Sequence, residues 1–188
     1  MRRSFLNIQP GWVLVVCALY YVNPMDTFWP FMAAVVCHEL GHAAALWVMG
    51  IPICQLRLEL SGAALVTAPM DYRSEIVCAL AGPAVNLLFL ALRHRFPVFA
   101  MLSLLLACFN LLPVYPLDGG RILRAALLLR WDERTVGMVM TVVGFLFSAV
   151  LMLAALWISV RLRCGLWPVL VAGLLVIRIG LCRRLEEN

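Results

Sequence analysis

The chain has 188 residues, of which 64% are hydrophobic and only 13% are charged, and its mean hydropathy is +0.97. Soluble domains are about half apolar and about a quarter charged, and disordered chains are poor in apolar residues, so both classes are excluded. The net charge of +5 is too small to indicate a nucleic-acid partner. We therefore predict an all-α polytopic membrane protein embedded in the lipid bilayer.

Apolar segments predict about six transmembrane helices, since a span needs roughly 20 residues and most of the segments approach that length. In chain order the predicted helices cover residues 10–25, 28–49, 75–92, 96–113, 135–160 and 165–182. No internal repeat or low-complexity linker separates them. We therefore expect a single transmembrane domain over residues 1–188, without a CBS or PDZ module.

The arginines are unevenly divided between the connectors on alternate sides of the predicted helices. Eleven of the fifteen lie at the two termini and in the connectors 50–74 and 114–134, against four on the opposite side. Positively charged loops tend to stay in the cytoplasm. We therefore expect a multi-pass protein of the cell membrane with both termini in the cytoplasm.

The 50–74 connector carries a pattern of its own. Residues 56–60 alternate apolar and polar side chains, Ser61 and Gly62 supply a turn, and residues 63–67 are mostly apolar. A period of two around a glycine turn is typical of a β-hairpin. We predict a small membrane-associated β-hairpin between helices 2 and 3, with a short amphipathic segment lying on the bilayer as the alternative.

The second apolar segment contains His38-Glu39-Leu40-Gly41-His42, an H-E-x-x-H sequence. Residues four apart share one face of a helix, so His38 and His42 can direct two imidazoles to one ion. Glu39 lies about 100° around the helix from His38, within reach of a water molecule on that ion. We predict one Zn²⁺ per chain with Glu39 as general base. Hydrogen bonds between helices are the structural alternative for these buried groups.

Catalytic zinc usually takes three protein ligands, so a third ligand is needed. Asp118 is the best candidate, because it follows two prolines that interrupt the fourth helix and precedes two glycines that should free the backbone. An Asp-Gly turn between two helices is the alternative. We expect His94 to be a loop residue on the opposite side, whereas Glu59 and Asp71 lie in the hairpin connector.

The third apolar segment contains the sequence A-G-P-A-V-N at residues 81–86. Pro83 predicts a kink, Gly82 permits the close approach of another helix, and Asn86 adds a buried amide. Taken alone, the pattern more often indicates helix packing than a functional site.

Three motifs, in this order and setting, resemble the site-2 protease family of intramembrane zinc metalloproteases. They are the H-E-x-x-H sequence, residues 81–86, and the run from Asn110 through two prolines to Asp118-Gly119. The short first helix, the hairpin and the six-segment layout are similar to the bacterial sporulation-factor group (SpoIVFB group) of that family. We expect this chain to lack the CBS module of that group.

The resemblance implies a set of site residues. Zinc would be held by His38, His42 and Asp118, and Glu39 would activate the water molecule. Asn110 would support the substrate carbonyl or the developing oxyanion, and we place Asn86 in the same role.

The resemblance also implies a bacterial intramembrane zinc metalloendopeptidase. Its substrate would be a membrane-associated protein, by analogy a sporulation pro-sigma factor, cleaved within or next to its membrane segment, and regulatory membrane proteins are possible partners. We expect the hairpin, residues 54–67, to bind the substrate as an added strand. The rival interpretations are a protease of soluble peptides, a catalytically inactive relative, and a membrane metal or proton carrier that uses the same buried His, Glu and Asp groups.

Overall fold

The computed structural model describes residues 6–22, 25–59, 62–162 and 173, and every structural statement below concerns these residues. They form one small sheet and six α-helices. The elements are, in chain order, β1 Leu6–Ile8, α1 Pro10–Val22, α2 Met25–Val48, β2 Ile53–Glu59, β3 Gly62–Thr67, α3 Tyr72–Leu88, α4 Pro97–Asn110, α5 Asp118–Leu128 and α6 Glu133–Leu162. By packing, the chain divides into two compact units, Met1–Leu111 and Leu112–Asn188.

Three of the described helices are long and apolar enough to cross a membrane: Asp26–Val48, Tyr72–Leu92 and Glu133–Arg161. They correspond to the second, third and fifth predicted segments. Helices α1 and α4 have only 13 and 14 residues, fewer than the roughly 20 that a span needs. The sixth predicted segment, 165–182, lies outside the described residues apart from residue 173. Three candidate spans are thus established, and the count of six stays a prediction.

In the first unit, α2, α3 and α4 pack against one another. Gly50, whose φ of +69° suits a residue without a side chain, follows the last turn of α2. Asp71 caps the start of α3, because its carboxylate accepts hydrogen bonds from the backbone N–H groups of Arg73 and Ser74. These two features define where α2 ends and where α3 begins.

The predicted hairpin is present, and it belongs to a larger sheet. Strands β2 and β3 pair antiparallel, with Glu59 opposite Gly62. Strand β1 adds to β2 as a parallel strand, with Leu6 opposite Leu56. Strand β1 was not predicted from the sequence, since three residues are too few to show a period of two. The strand order is β1-β2-β3, so β2 is the central strand.

The connector 114–134 contains a helix, α5, that the sequence analysis missed. Asp118 and the two glycines after it form the first turn of α5, so the expectation that the glycines free the backbone is wrong, and so is the alternative of an Asp-Gly turn. Gly120 is buried, and a Cβ atom there would collide with the backbone of Val114 and Tyr115. The absence of a side chain therefore allows the segment before α5 to pack closely on its first turn.

Candidate metal centre

The two histidines of the H-E-x-x-H sequence lie one turn apart on α2 and are buried, with 5% of His38 and 6% of His42 exposed. Their Nε2 atoms are 3.2 Å apart and their rings meet edge to face. Two nitrogen ligands of a tetrahedral zinc ion, each at roughly 2.0–2.1 Å, are about 3.3 Å apart. The spacing of the two Nε2 atoms therefore fits a shared zinc ion.

Helix α3 supplies a hydrogen-bonding partner for each imidazole. His42 Nδ1 lies 2.8 Å from the backbone carbonyl oxygen of Cys78. A carbonyl can only accept, so neutral His42 carries its proton on Nδ1 and keeps a lone pair on Nε2. His38 Nδ1 lies 3.3 Å from Asn86 Nδ2, and Asn86 is fully buried. His42 thus contacts Cys78 and His38 contacts Asn86, which lies farther along α3, as expected for two helices that run in opposite directions.

Gly82 makes room for both imidazoles, since it lies midway between the two partner residues on the same face of α3. A Cβ atom on Gly82 would overlap the ring of His42 and would lie 2.8 Å from His38 Cε1. The approach is equally close from the other side, where a Cβ atom on Gly41 would lie 2.8 Å from the carbonyl oxygen of Ala81. Glycine on each helix therefore lets the imidazoles of α2 lie directly against α3.

Asp118 begins α5 and is 6% exposed. A carboxylate in the first turn of a helix is favoured by the helix dipole, and Arg121 Nη1 lies 3.6 Å from Asp118 Oδ1. With His38 and His42, Asp118 makes up a group of residue types that could hold a metal ion. Two imidazoles and a carboxylate suit zinc, and they leave one position of a tetrahedral ion for water.

The other predicted site residues have different surroundings. Glu39 is half-buried on α2, beside His38 in the chain. Asn110 is the last residue of α4, where its amide donates a hydrogen bond to the carbonyl of Leu106 at 3.1 Å. Asn86 contacts a histidine that belongs to the metal-binding group. The catalytic roles of Glu39, Asn110 and Asn86 stay predictions.

Of the residues weighed as alternative third ligands, His94 and Asp71 are outside the group, and the side chain of Glu59 is not among those that the structure describes. His94 is exposed in the turn between α3 and α4, as expected. Asp71 serves as the cap of α3. Cys78 was not among the predicted site residues, because its backbone carbonyl makes the contact and every residue type has that carbonyl. Equal spacing of Cys78, Gly82 and Asn86, four residues apart like the two histidines, was the available signal.

Comparisons with known proteins relate this chain to zinc metalloproteases. Residues 89–153 match the model of Peptidase family M50, a segment that contains Asn110 and Asp118. Zinc metalloprotease MJ0392 of Methanocaldococcus jannaschii is 30% identical over 134 residues, which are 61% of this chain and 39% of that protein. Putative zinc metalloprotease sll0528 of Synechocystis is 38% identical over 109 residues, which are 50% of this chain and 29% of that protein. The chain thus spans well under half the length of these relatives.

The fold is similar to a solved structure, the site-2 protease from Methanocaldococcus jannaschii. The TM-score is 0.68 at 23% sequence identity, over 96% of this chain and 92% of the other. This likeness shows that the chain has the fold of a site-2 protease. Together with the M50 match and the two metalloproteases, it confirms the resemblance to the site-2 protease family. The likeness to the SpoIVFB group in particular stays a prediction.

Proposed function

We propose that this chain, with its site-2 protease fold, is an intramembrane zinc metalloendopeptidase. The observation that carries the proposal is the pair of buried imidazoles on α2, His38 and His42, with Asp118 as the predicted third ligand. The 3.2 Å between the two Nε2 atoms adds the spacing that a tetrahedral zinc ion needs.

In the proposed reaction, His38 and His42 would hold zinc through Nε2 and Asp118 would hold it through a carboxylate oxygen. When bound, zinc polarises a water molecule and lowers its pKa towards about 7. Glu39 accepts a proton as the water oxygen attacks the peptide carbonyl carbon, and it donates that proton to the amine as the C–N bond breaks. Asn110 supports the carbonyl oxygen as negative charge develops on it.

The proposed substrate is a membrane-associated protein, cleaved within or next to its membrane segment. The H-E-x-x-H sequence supports this, because it lies inside the candidate span Asp26–Val48. The arginine distribution supports a multi-pass protein of the cell membrane with cytoplasmic termini. Regulatory membrane proteins as partners and a sporulation factor as substrate rest on the resemblance to the SpoIVFB group alone.

Changing Glu39 to Gln tests the catalytic assignment. The amide keeps the shape of the side chain but accepts no proton, so we expect cleavage to fall at least 100-fold, on the order of a lost general base, while zinc content stays unchanged. The assay is cleavage of a library of single-span reporter proteins reconstituted with the purified protein in proteoliposomes, with zinc measured by atomic absorption. Glu133→Gln, at an exposed position at the start of α6, is the control.

Three results would contradict the proposed function. Full cleavage by the Glu39→Gln variant would remove Glu39 from the mechanism. A wild-type protein that binds no zinc would remove the metal site. A wild-type protein that binds zinc, cleaves no reporter and moves Zn²⁺ or protons across the same vesicles would favour the carrier interpretation.

We further propose that the substrate binds as an extended strand along the outer edge of β3. An extended peptide exposes the bond to be cut, and strand addition gives it backbone hydrogen bonds. In the sheet order β1-β2-β3, no described strand pairs with β3 on the side away from β2. Strand β2 is unsuited to this role, because Leu58 is paired with Ile8 on one side and Ala63 on the other.

The pairing of β3 with β2 shows which backbone N–H groups of β3 could bind a substrate strand. The carbonyl of Leu58 accepts a hydrogen bond from the N–H of Gln9 at 2.8 Å, so Leu58 faces β1 and its pair with Ala63 is not hydrogen-bonded. Hydrogen-bonded and non-hydrogen-bonded pairs alternate in an antiparallel ladder, so the pair of Leu56 with Leu65 is not hydrogen-bonded either. The N–H of Leu65 accordingly points away from β2. We expect Leu65→Pro to lower kcat/KM for reporter cleavage at least tenfold, whereas Leu65→Ala, which keeps the N–H, stays near wild type. Equal cleavage by the two variants, at equal zinc content, would exclude binding at this edge.

A further inference from the structure

We propose that Asn86 is a positioning residue for the metal site, whose amide turns to present its oxygen to His38 when zinc binds. The proposal rests on the zinc site put forward above. It assigns Asn86 to the histidine beside it and not to the oxyanion of the substrate.

The surroundings of Asn86 indicate that its amide group has a role beyond filling space. No part of the side chain is exposed, although an amide is costly to bury. Its Nδ2 lies 3.3 Å from His38 Nδ1. Its Oδ1 is buried and has no hydrogen-bond partner among the described residues. The Nδ2 group of the amide thus contacts an imidazole, and the Oδ1 atom is available to accept a hydrogen bond.

With Asn86 Nδ2 facing His38, one chain of hydrogen bonds connects Asn86, His38, His42 and the carbonyl of Cys78. Asn86 donates to His38 Nδ1, so the proton of the neutral imidazole lies on Nε2. That Nε2 is 3.2 Å from the Nε2 lone pair of His42. His42 in turn donates from Nδ1 to the carbonyl of Cys78 at 2.8 Å. Each of these links has one donor and one acceptor.

A metal ion requires the other tautomer of His38. Both Nε2 atoms must offer lone pairs, so the proton of His38 must move from Nε2 to Nδ1, where it needs an acceptor. Rotating the amide of Asn86 by half a turn supplies its Oδ1 as that acceptor in the same space, because the amide O and N have nearly the same size and shape. The number of protons on the site does not change. In both states His38 keeps a hydrogen-bonding partner on Nδ1.

The test measures zinc affinity of the purified full chain by competition with a chromophoric chelator. Asn86→Leu removes both halves of the amide at similar volume, and we expect zinc affinity to fall about 10- to 100-fold, the usual effect of losing the partner of a ligating histidine. Asn86→Asp keeps an acceptor for Nδ1–H, and we expect its affinity to stay within about threefold of wild type or to rise. The visible spectrum of the Co²⁺-loaded protein should change in the Leu variant and not in the Asp variant.

Ser103→Ala is the matched control, since Ser103 on α4 is also fully buried and its hydroxyl has no partner among the described residues. We expect it to bind zinc and Co²⁺ as wild type does. A role in packing alone predicts the reverse order, with the apolar Leu variant binding normally and the buried carboxylate of the Asp variant binding poorly. That order would overturn the proposal.

Two further outcomes are also decisive. Where Asn86→Leu does not fold, as judged by circular dichroism, Asn86→Asp decides alone: near-wild-type zinc affinity supports the proposal, and a loss of tenfold or more overturns it. The readout is separate from proteolysis. Zinc binding that is equal in wild type and Asn86→Leu removes only this inference, whereas failure of the wild type to bind zinc removes the proposed function.

Discussion

Helices α2 and α6 are both candidate membrane spans, and they differ in a way that hydropathy does not predict. The span in α6 is the more hydrophobic of the two, yet over an 18-residue stretch of each helix 17% of α6 is buried among the described residues, against 28% of α2. The less hydrophobic helix is thus the more buried one. Its polar side chains lower its hydropathy, and the same side chains require partners from protein in place of lipid.

The glycines of the two helices show the same contrast. Gly41 on α2 lies where an added Cβ atom would be 2.8 Å from the carbonyl of Ala81 on α3, whereas a Cβ atom on Gly137 of α6 would meet nothing within 4 Å. Along α6 large apolar side chains are exposed, among them Phe145, Leu153, Trp157 and Val160. Backbone contact between α2 and α3 therefore shapes the metal centre, while much of α6 offers side chains that suit lipid.

Gly82→Ala should have the largest effect of these substitutions on zinc affinity and stability. The new methyl group would occupy the space of the His42 ring, so either α3 moves away from α2 or the imidazoles rotate out of position. We expect a loss of zinc affinity of more than tenfold and a destabilisation of roughly 1–3 kcal/mol, as is typical of an overpacked interior. Chelator competition and thermal unfolding of the zinc-free protein measure the two effects. Wild-type zinc affinity in this variant would contradict the geometry of the α2–α3 contact.

Gly137→Ala is the same chemical change in the open region. Since nothing lies near the added Cβ atom and alanine is the better helix former, we expect unchanged zinc affinity and a stability equal to wild type or higher by up to about 1 kcal/mol. The same two measurements apply. A loss of zinc comparable to that of Gly82→Ala would show that the effect of alanine at position 82 is not specific to the metal centre.

The smallest effects on stability are expected from the residues that cap α3 and α6, because both helices begin with the same pair of hydrogen bonds. Asp71 accepts hydrogen bonds from the hydroxyl and backbone N–H of Ser74 before α3, and Asp132 accepts the same pair from Thr135 before α6. These hydrogen bonds, that of the hydroxyl first, lower the pKa of each carboxyl below its usual value of 3.8. We expect Asp71→Ala and Asp132→Ala each to cause a small fall in melting temperature at pH 7 without loss of zinc.

The pH dependence of the two caps follows from the direction of their pKa shifts. A carboxyl whose pKa is lower in the folded protein stabilises the fold fully above its unfolded pKa, and it loses that contribution as the pH falls through the folded pKa. The difference in melting temperature between wild type and either Asp71→Ala or Asp132→Ala should therefore shrink as the pH is lowered past 3.8. A difference that grows on acidification would show that the carboxylate is not the stabilising form.

Much of the site could be predicted because its information is local. The spacing of His38 and His42 places two imidazoles on one face of any α-helix, and the pattern of residues 56–67 predicts a hairpin without knowledge of its neighbours. Helix α5 was missed because it is short and starts with Asp118 and two glycines, which are poor helix formers. Its first turn is instead stabilised by burial, which a residue's own neighbours in the chain do not reveal.

By itself, the sequence determined that the chain is a membrane protein, that two imidazoles share a helix face, and that the motifs resemble those of a zinc protease. These conclusions follow from composition and from the repeat of the helix. Only the tertiary structure decided what surrounds the imidazoles: the carbonyl of Cys78, the amide of Asn86 and the space above Gly82. The physical reason is that a hydrogen bond or a close approach depends on the distance between two atoms on different helices, and packing sets that distance.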